Sequence, residues 1–464
     1  MSSLADILNT SRQALRVQQL AMQLIGQNTA NVNTEGYTRR RVELTTAPPY
    51  TTDTIWGTGN GVDTLTLGRV RDQLLDEQYR RSAGTAGYWS SRDDLLGRVE
   101  EVFSELGGSA ISDRLQQFWA AWQDLANDPE GSAPRIVLLE RAQALASSVR
   151  RAHSELATRH EEIDRQLVGD VQEVNALTKR IAELNVQIVR AETGGTEASD
   201  LRDMRDSAID RLSQLLDITV HENADGALNV YNGGQILVQL DHSADLTMSS
   251  SSSNGLVKTQ VTYGSSGRAL VLDSGEIKSL IELRDQDIGG VMADLDGFAV
   301  AMANRVNEVH RTGYGLTGTN GIEFFASDVT GASDFRVSQM IADEPDRIAT
   351  AAADGAPGDN SIALQIAGIQ SEKLMRDGRS TLDEYYRDIS LAVGSKKSYA
   401  VGQLAVEQGA LDSISNRRQQ VSGVSMDEEM TRLIQVQQAY EAAAKVITTV
   451  DEMMQTVLAM GAGA

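Results

Sequence analysis

Cysteine is absent from all 464 residues, so disulfides, thiolate metal sites and cysteine nucleophiles are excluded and the fold stands on packing alone. Long apolar runs are missing too. No stretch approaches the ~18 residues of a membrane-spanning helix, and the N-terminus lacks the basic start, apolar core and small-residue cleavage site of a secretory signal. Taken alone, these absences point to the cytoplasm unless export takes another route, and to no membrane partner. Positive charge is scarce: 42 Lys and Arg against 65 Asp and Glu leave −23, which opposes binding to nucleic acid or anionic lipid. The basic triplet Arg39 to Arg41 reads as a solvated turn or a set of ion-pair donors.

Chemistry-bearing constellations are equally sparse. His153, His160, His221, His242 and His310 form no H-x-x-x-H or H-x-x-E-H pair. Asp200, Asp203 and Asp206 recur on one helical face with Arg202 and Arg205 interleaved, a pattern of solvated ion pairs. Gly313, Gly315 and Gly318 spell G-x-G-x-x-G, but a helical pattern precedes them and none follows, whereas dinucleotide binding needs strand, turn and helix. Ser266 and Ser274 offer hydroxyls without a base in view. The sequence therefore predicts no enzyme, no cofactor and no metal.

What is present is helical periodicity, strongest at the two ends. Val436, Ala439, Ala443, Val446, Val450, Met453, Val457 and Met460 alternate spacings of three and four, as a coiled-coil seam does. A second row, Met430, Leu433, Tyr440, Ala444, Ile447, Met454 and Leu458, lies beside it, so several neighbours are implied. Ser425 and Glu428 spell an S-x-x-E capping box, and Asp427, Glu428 and Glu429 suit the positive end of the helix dipole. At the other end Leu4, Leu8, Leu15, Met22 and Ile25 form a matching stripe. Residues 1–41 hold five basic and two acidic side chains and residues 425–464 two basic and six acidic, so the ends attract. The first stripe runs into Asn28, Asn31, Asn33, Gly36, Tyr37 and Arg39, a composition suited to a turn leaving a helix.

Between the ends the period changes twice. Short strands are expected over Val42 to Thr46 and Val62 to Val70, separated by Pro48, Pro49, Gly57, Gly59, Asn60 and Gly61. Helices follow from Arg71 to Leu106 and from Ser112 to Asn127. Pro134 then opens nearly sixty residues of helical pattern to Gly194, and Leu201 to Leu216 form another helix. From Asp217 the period is two, with an Asn232-Gly233-Gly234 hairpin turn, strands at Leu256 to Tyr263 and Ala269 to Leu272, and a loop tip at Ser249 to Ser253. Helix returns from Glu276 to His310, residues 312–360 read as irregular or β structure, and Thr381 with Glu384 caps a further helix to Gly423.

The fold class predicted is mainly α with an inserted β domain, elongated, with the terminal helices paired as a coiled coil. Three units are expected. They are a terminal coiled coil of 1–36 and 425–464, a helical rod of 37–216, 275–311 and 361–424 with a short β segment near 42–70, and a β-rich outer domain of 217–274 and 312–360.

The run Asn28-Thr29-Ala30-Asn31-Val32-Asn33-Thr34-Glu35-Gly36-Tyr37-Thr38-Arg39 resembles the N-terminal signature of bacterial flagellar rod, hook and hook-associated proteins. Asp427-Glu428-Glu429, Gln437-Gln438-Ala439-Tyr440-Glu441-Ala442 and Thr449-Val450-Asp451-Glu452-Met453 resemble the closing signature of that family. Ala182-Glu183-Leu184-Asn185, Asp200 to Asp206, Gly275-Glu276-Ile277 and Asn307-Glu308-Val309-His310 resemble the hook-associated branch that joins hook to filament. The tail Ala459 to Ala464 departs from the family in its Gly/Ala content.

The resemblance implies a structural subunit, exported through the flagellar type III channel without a cleaved signal and placed in the extracellular flagellum. It implies self-association in a ring, with the terminal helices as an inner tube, the hook protein on one side and a second junction protein on the filament side. An export chaperone is expected on Val436 to Met460. Tyr37 and Arg39 are expected to fix the exit of the first helix, and Ser425, Glu428, Tyr440, Val446, Val450, Met453 and Val457 to serve assembly. The alternatives are a distal rod or hook subunit, a hydrolase carried in the β insertion, and a generic coiled-coil scaffold.

Overall fold

The computed structural model describes residues 2–46, 62–104, 111–253 and 256–462. Helix α1 (Ser2–Ala30) closes on its own last turn, where Asn31 N–H donates to the Gln27 carbonyl at 3.1 Å. The chain then enters an antiparallel ribbon of β1 (Arg40–Thr46) and β2 (Val62–Arg69), with a register shift between Glu43 and Leu44. The expected Pro48 to Gly61 connection lies outside the described residues.

Helix α2 (Gln73–Ser104) leads to α3 (Ile111–Asn127), whose Phe118, Trp119 and Trp122 are fully buried. Helix α4 (Ser132–Glu192) has 61 residues, about 92 Å at 1.5 Å per residue, and carries Pro134 in its first turn where no intrahelical donor is lost. Its stripe of Leu138, Ala142, Leu145, Val149, Leu156, Ile163, Leu167, Val174, Ile181 and Ile188 is buried at the three-four spacing read from the sequence. Helix α5 (Ser199–Leu215) folds back along it.

A four-stranded antiparallel sheet follows in chain order: β3 (Thr219–Glu222), β4 (Leu228–Asn232), β5 (Gln235–Gln239) and β6 (His242–Ser243). The β4–β5 turn is Gly233-Gly234 with φ of +53° and +79°, both in the region that a tight hairpin demands and glycine reaches without steric cost. A separate hairpin pairs β7 (Leu246–Ser253) with β8 (Leu256–Tyr263). The serine run Ser249 to Ser253 is therefore strand rather than loop tip, because backbone pairing to β8 supplies what its side chains do not. Ala269 to Leu272 forms no strand; Ala269 makes one isolated bridge to Thr262.

The expected helix over 276–310 is broken into α6 (Glu276–Glu282), a π-helical turn (Leu283–Ile288) and α7 (Gly289–His310). Apolar spacing persists through the break, so periodicity conceals it. The wide turn aims two charges inward. Arg284 donates to Asp164 of α4 at 2.6 Å and to the Thr259 carbonyl of β8 at 2.7 Å, and Asp287 accepts from Arg92 at 2.6 Å and from Lys396 at 2.7 Å.

Residues 312–360 contain isolated bridges, α8 (Gln339–Asp343) and a 3₁₀ turn, but no strand among the described residues. They pack away from the sheets with which composition groups them. Phe324 and Phe325 meet Phe118 of α3, and the Ile348 and Phe335 carbonyls accept from Arg135 and Arg150 of α4. The sheets meet α4 far along its length, where Asn175 bonds Leu246 and Asn185 bonds Leu228. Gly315 permits this crossing of irregular chain, since a Cβ there would sit 2.6 Å from the Asp346 carbonyl oxygen.

Helix α9 (Ser361–Gly368) packs on α3 and α7. Helix α10 (Leu382–Ser422) opens with the expected capping box of Thr381 and Glu384 and runs along α2. Helix α11 (Met426–Ala462) then returns antiparallel to α1, so the two ends of the chain pair in one molecule.

Candidate assembly site at the joined ends

Asn28, buried near the end of α1, organises the turn. Its Oδ1 accepts from the Tyr37 hydroxyl at 2.9 Å and from the Arg40 N–H at 3.1 Å, while its Nδ2 donates to the Arg40 carbonyl at 3.1 Å and to Glu429 Oε2 at 3.2 Å. One amide thus joins helix exit, strand start and the first turn of α11. Asn31 and Thr34 close the intervening loop on themselves: Asn31 Nδ2 donates to the Gln27 carbonyl at 3.0 Å and Thr34 Oγ1 to Asn31 Oδ1 at 3.1 Å. Gly36 turns the chain at φ +78°. Asn33 is exposed and makes no hydrogen bond among the described residues.

Arg39 is buried and locks the second side. Its N–H donates to the Ser422 carbonyl at 2.7 Å, its Nη2 to the Val421 carbonyl at 3.0 Å, and its Nη1 pairs with Glu428. Because Glu428 faces Arg39, the expected capping box with Ser425 is not formed among the described hydrogen bonds; the helix start is held by the Glu429 N–H on the Ser425 carbonyl at 2.9 Å.

Below the turn a ladder of buried charges fastens it to the helical body. Asp203 accepts from Thr38 Oγ1 at 2.5 Å and from Arg69 at 2.8 Å, and Asp206 accepts from Arg69 at 2.7 Å and Arg71 at 2.5 Å. Arg71 also grips Asp76 at 2.7 and 2.9 Å, and Arg418 of α10 bridges Asp76 at 2.8 Å and Asp210 at 2.7 Å. Burial alone would raise the Asp206 carboxyl, but Arg71, Arg69 and Arg80 outweigh it and hold the group down at about 2. Asp203 and Asp206 are thus not solvated partners of the arginines between them, whereas Asp200 stays exposed and pairs with Arg40. Arg202 turns to Glu192 and Glu222, both at 2.6 Å, and Arg205 to Asn185 Oδ1 at 2.9 Å and the Gly226 carbonyl at 2.7 Å.

Along α11 the face turned to α1 is Leu433, Val436, Tyr440, Ala443, Ile447, Val450 and Met454, drawn from both apolar rows. Ala439, Val446, Met453, Val457 and Met460 of the expected seam stand exposed, Val446 at 43% and Met460 at 74%. With a stripe this wide, periodicity leaves the choice of partner face to the position of α1.

Two further residues of the interior signature hold the irregular segment. Asn307 donates to the Phe325 carbonyl at 3.0 Å and accepts from its N–H at 2.8 Å, as a strand would. His310, fully buried, bonds the Ile322 carbonyl at 2.7 Å through Nδ1 and accepts the Ala349 N–H at 2.9 Å on Nε2; burial keeps it neutral, down at about 4. Sequence spacing carries no signal for either role, because both partners are backbone.

Comparison with known proteins places this geometry. The model of the flagellar hook-associated protein FlgK helical domain matches residues 96–325, and that of the flagellar basal body rod FlgEFG protein C-terminal region matches 417–460. Antiparallel end helices, an Asn-Gly-Tyr-Arg turn and a long helical body with a β insertion define a structural component of the bacterial flagellum that associates with other flagellar components. The chain is 30% identical to flagellar hook-associated protein 1 of Bacillus subtilis over 98% of both chains, and 22% and 23% identical to those of Escherichia coli and Salmonella typhimurium. It belongs to the flagellar hook-associated protein 1 family. The fold is also similar to that of the flagellar hook junction protein FlgK from Burkholderia pseudomallei, with a TM-score of 0.66 at 16% identity over 74% of this chain and all of the other.

Proposed function

We propose that this chain is the adaptor between hook and filament, assembled as a ring at the hook tip through its paired terminal helices. The observation that carries the reading is the exposed row Val446, Met453, Val457 and Met460, which stays open after α1 has covered the other face of α11. A surface helix with a second apolar face needs further neighbours, and in a ring these are other copies. The hook protein lies on one side and a second junction protein on the filament side. The subunit reaches this extracellular position through the flagellar type III channel without a cleaved signal, and an export chaperone covers the α11 row beforehand. Asn28, Tyr37 and Arg39 set the angle at which the helix pair leaves the body, and Ser425, Glu428, Tyr440 and Val450 hold that pair together. The role is structural, with no catalytic step.

Deleting the gene and imaging the cells by electron microscopy tests this. Hooks without filaments are expected; normal filaments on the hooks, or loss of the hook itself as for a distal rod or hook subunit, overturn it. Cryo-electron microscopy of the wild-type hook–filament boundary should place α1 and α11 around the central channel.

A further inference from the structure

We propose that the last turns of α11 in one copy insert into a groove at the opposite end of the helix pair in the next copy, giving a head-to-tail contact. This rests on the reading of the terminal pair as a self-association surface and specifies its direction.

The groove is a cavity of about 350 Å³ between α1, β1 and α11, floored by Val17, Leu24, Ile25 and Val436 and rimmed by Val42 and Leu44. Leu44 is 53% exposed at the register shift of the β1–β2 ribbon, where the bulge turns it outward. The far end of α11 has the opposite character. From Met453 to Ala462 it carries no charge, and Met453, Val457, Leu458 and Met460 are exposed in several directions around the axis. A helix end that exposes apolar side chains on more than one side, with Gln455 and Thr456 between them, is built to be covered by a neighbour. Groove and helix end lie on one rod but roughly 40 Å apart along it, from Glu429 to Val457, so a chain cannot fill its own groove.

Charge fixes the direction. Arg41 and Arg432 stand beside the groove, and Asp451 and Glu452 lie just before the apolar end; none of the four has an ion pair among the described residues. In a head-to-tail contact they meet with opposite sign and break no ion pair among the described residues, where Asp451 accepts only from Gln455 of its own helix, at 3.3 Å. Because groove and inserted end are different surfaces, the contact is heterologous and propagates from copy to copy into a ring or helical array.

The chain's lack of cysteine makes the test direct. The double variant Leu44→Cys with Met460→Cys, replacing the natural chain in flagellated cells, should on oxidation of isolated flagella give a ladder of dimers, trimers and larger species; each single variant should give no trimer. Arg41→Glu with Arg432→Glu should weaken the ladder at least tenfold, and adding Asp451→Arg with Glu452→Arg should restore it. Motile cells whose flagella contain the double variant but yield no ladder, or dimers alone, overturn the head-to-tail contact and leave the junction reading intact. Absence of the natural chain from isolated flagella would instead sink the junction reading.

Discussion

Asn28 and Glu429, 401 residues apart in sequence, meet at 3.2 Å where α1 ends and α11 begins. The same Asn28 side chain also holds Tyr37 and both backbone groups of Arg40, so Asn28→Ala strands a hydroxyl, a carboxylate and a strand end at once. The expected loss is roughly 2 to 3 kcal/mol, confined to the joint. Hydrogen exchange should show α1 and α11 opening together while α4 keeps its protection. Asn33→Ala, at an exposed position without a partner, should change the free chain by less than about 0.5 kcal/mol.

The buried ladder makes the joint sensitive to acid. Asp206 has a folded-state value of about 2, below the ordinary aspartate range, so its contribution is present above about pH 4 and lost as pH falls through 2. Asp206→Asn removes that dependence by leaving Arg69 and Arg71 without their shared anion, at a cost of about 3 to 5 kcal/mol. Acid titration followed by tryptophan fluorescence and circular dichroism should show the wild-type transition between pH 4 and 2, and a flatter, lower curve for the variant.

The paired ends were legible because three-four spacing and opposite charge both survive in a linear sequence. The identity of the inward face was not, since Val446 and Ile447 are equally apolar and the placement of α1 alone buries the second more than the first. Asp203 and Asp206 misled for a related reason. Interleaved Arg202 and Arg205 are near in sequence but point to β3 and the turn after it, whereas the true partners Arg69 and Arg71 come from more than 120 residues away. Asn28, Tyr37 and Arg39 were marked by resemblance. Their partners Glu429, Glu428 and Ser422 became visible only when the chain closed on itself.

A second titrating group acts in the reverse sense. Asp170 of α4 is held up at about 7 by burial and then by Glu276 and Glu173, with Arg211 alone opposing. A folded-state value above the unfolded one contributes stability that is complete below pH 4 and lost as pH rises through 7. Asp170→Asn should therefore raise the melting temperature at pH 8 and leave it nearly unchanged at pH 4. A larger gain at pH 4 than at pH 8 would show that the carboxyl is not the source.

Val446 and Val450 sit one turn apart on α11 but do different work, and an aspartate at each separates pairing from assembly. Val450 is 4% exposed against α1, so Val450→Asp buries a charge in the intramolecular seam and should release both terminal helices, seen as lost helicity in the free chain. Val446 faces away from α1, so Val446→Asp should leave helicity unchanged and the unfolding free energy within about 0.5 kcal/mol of the wild type. In cells it should still abolish filament growth, because a charge then stands on the row that other copies cover. Normal swimming by the Val446→Asp strain would remove that row from the assembly surface, whatever Val450→Asp does.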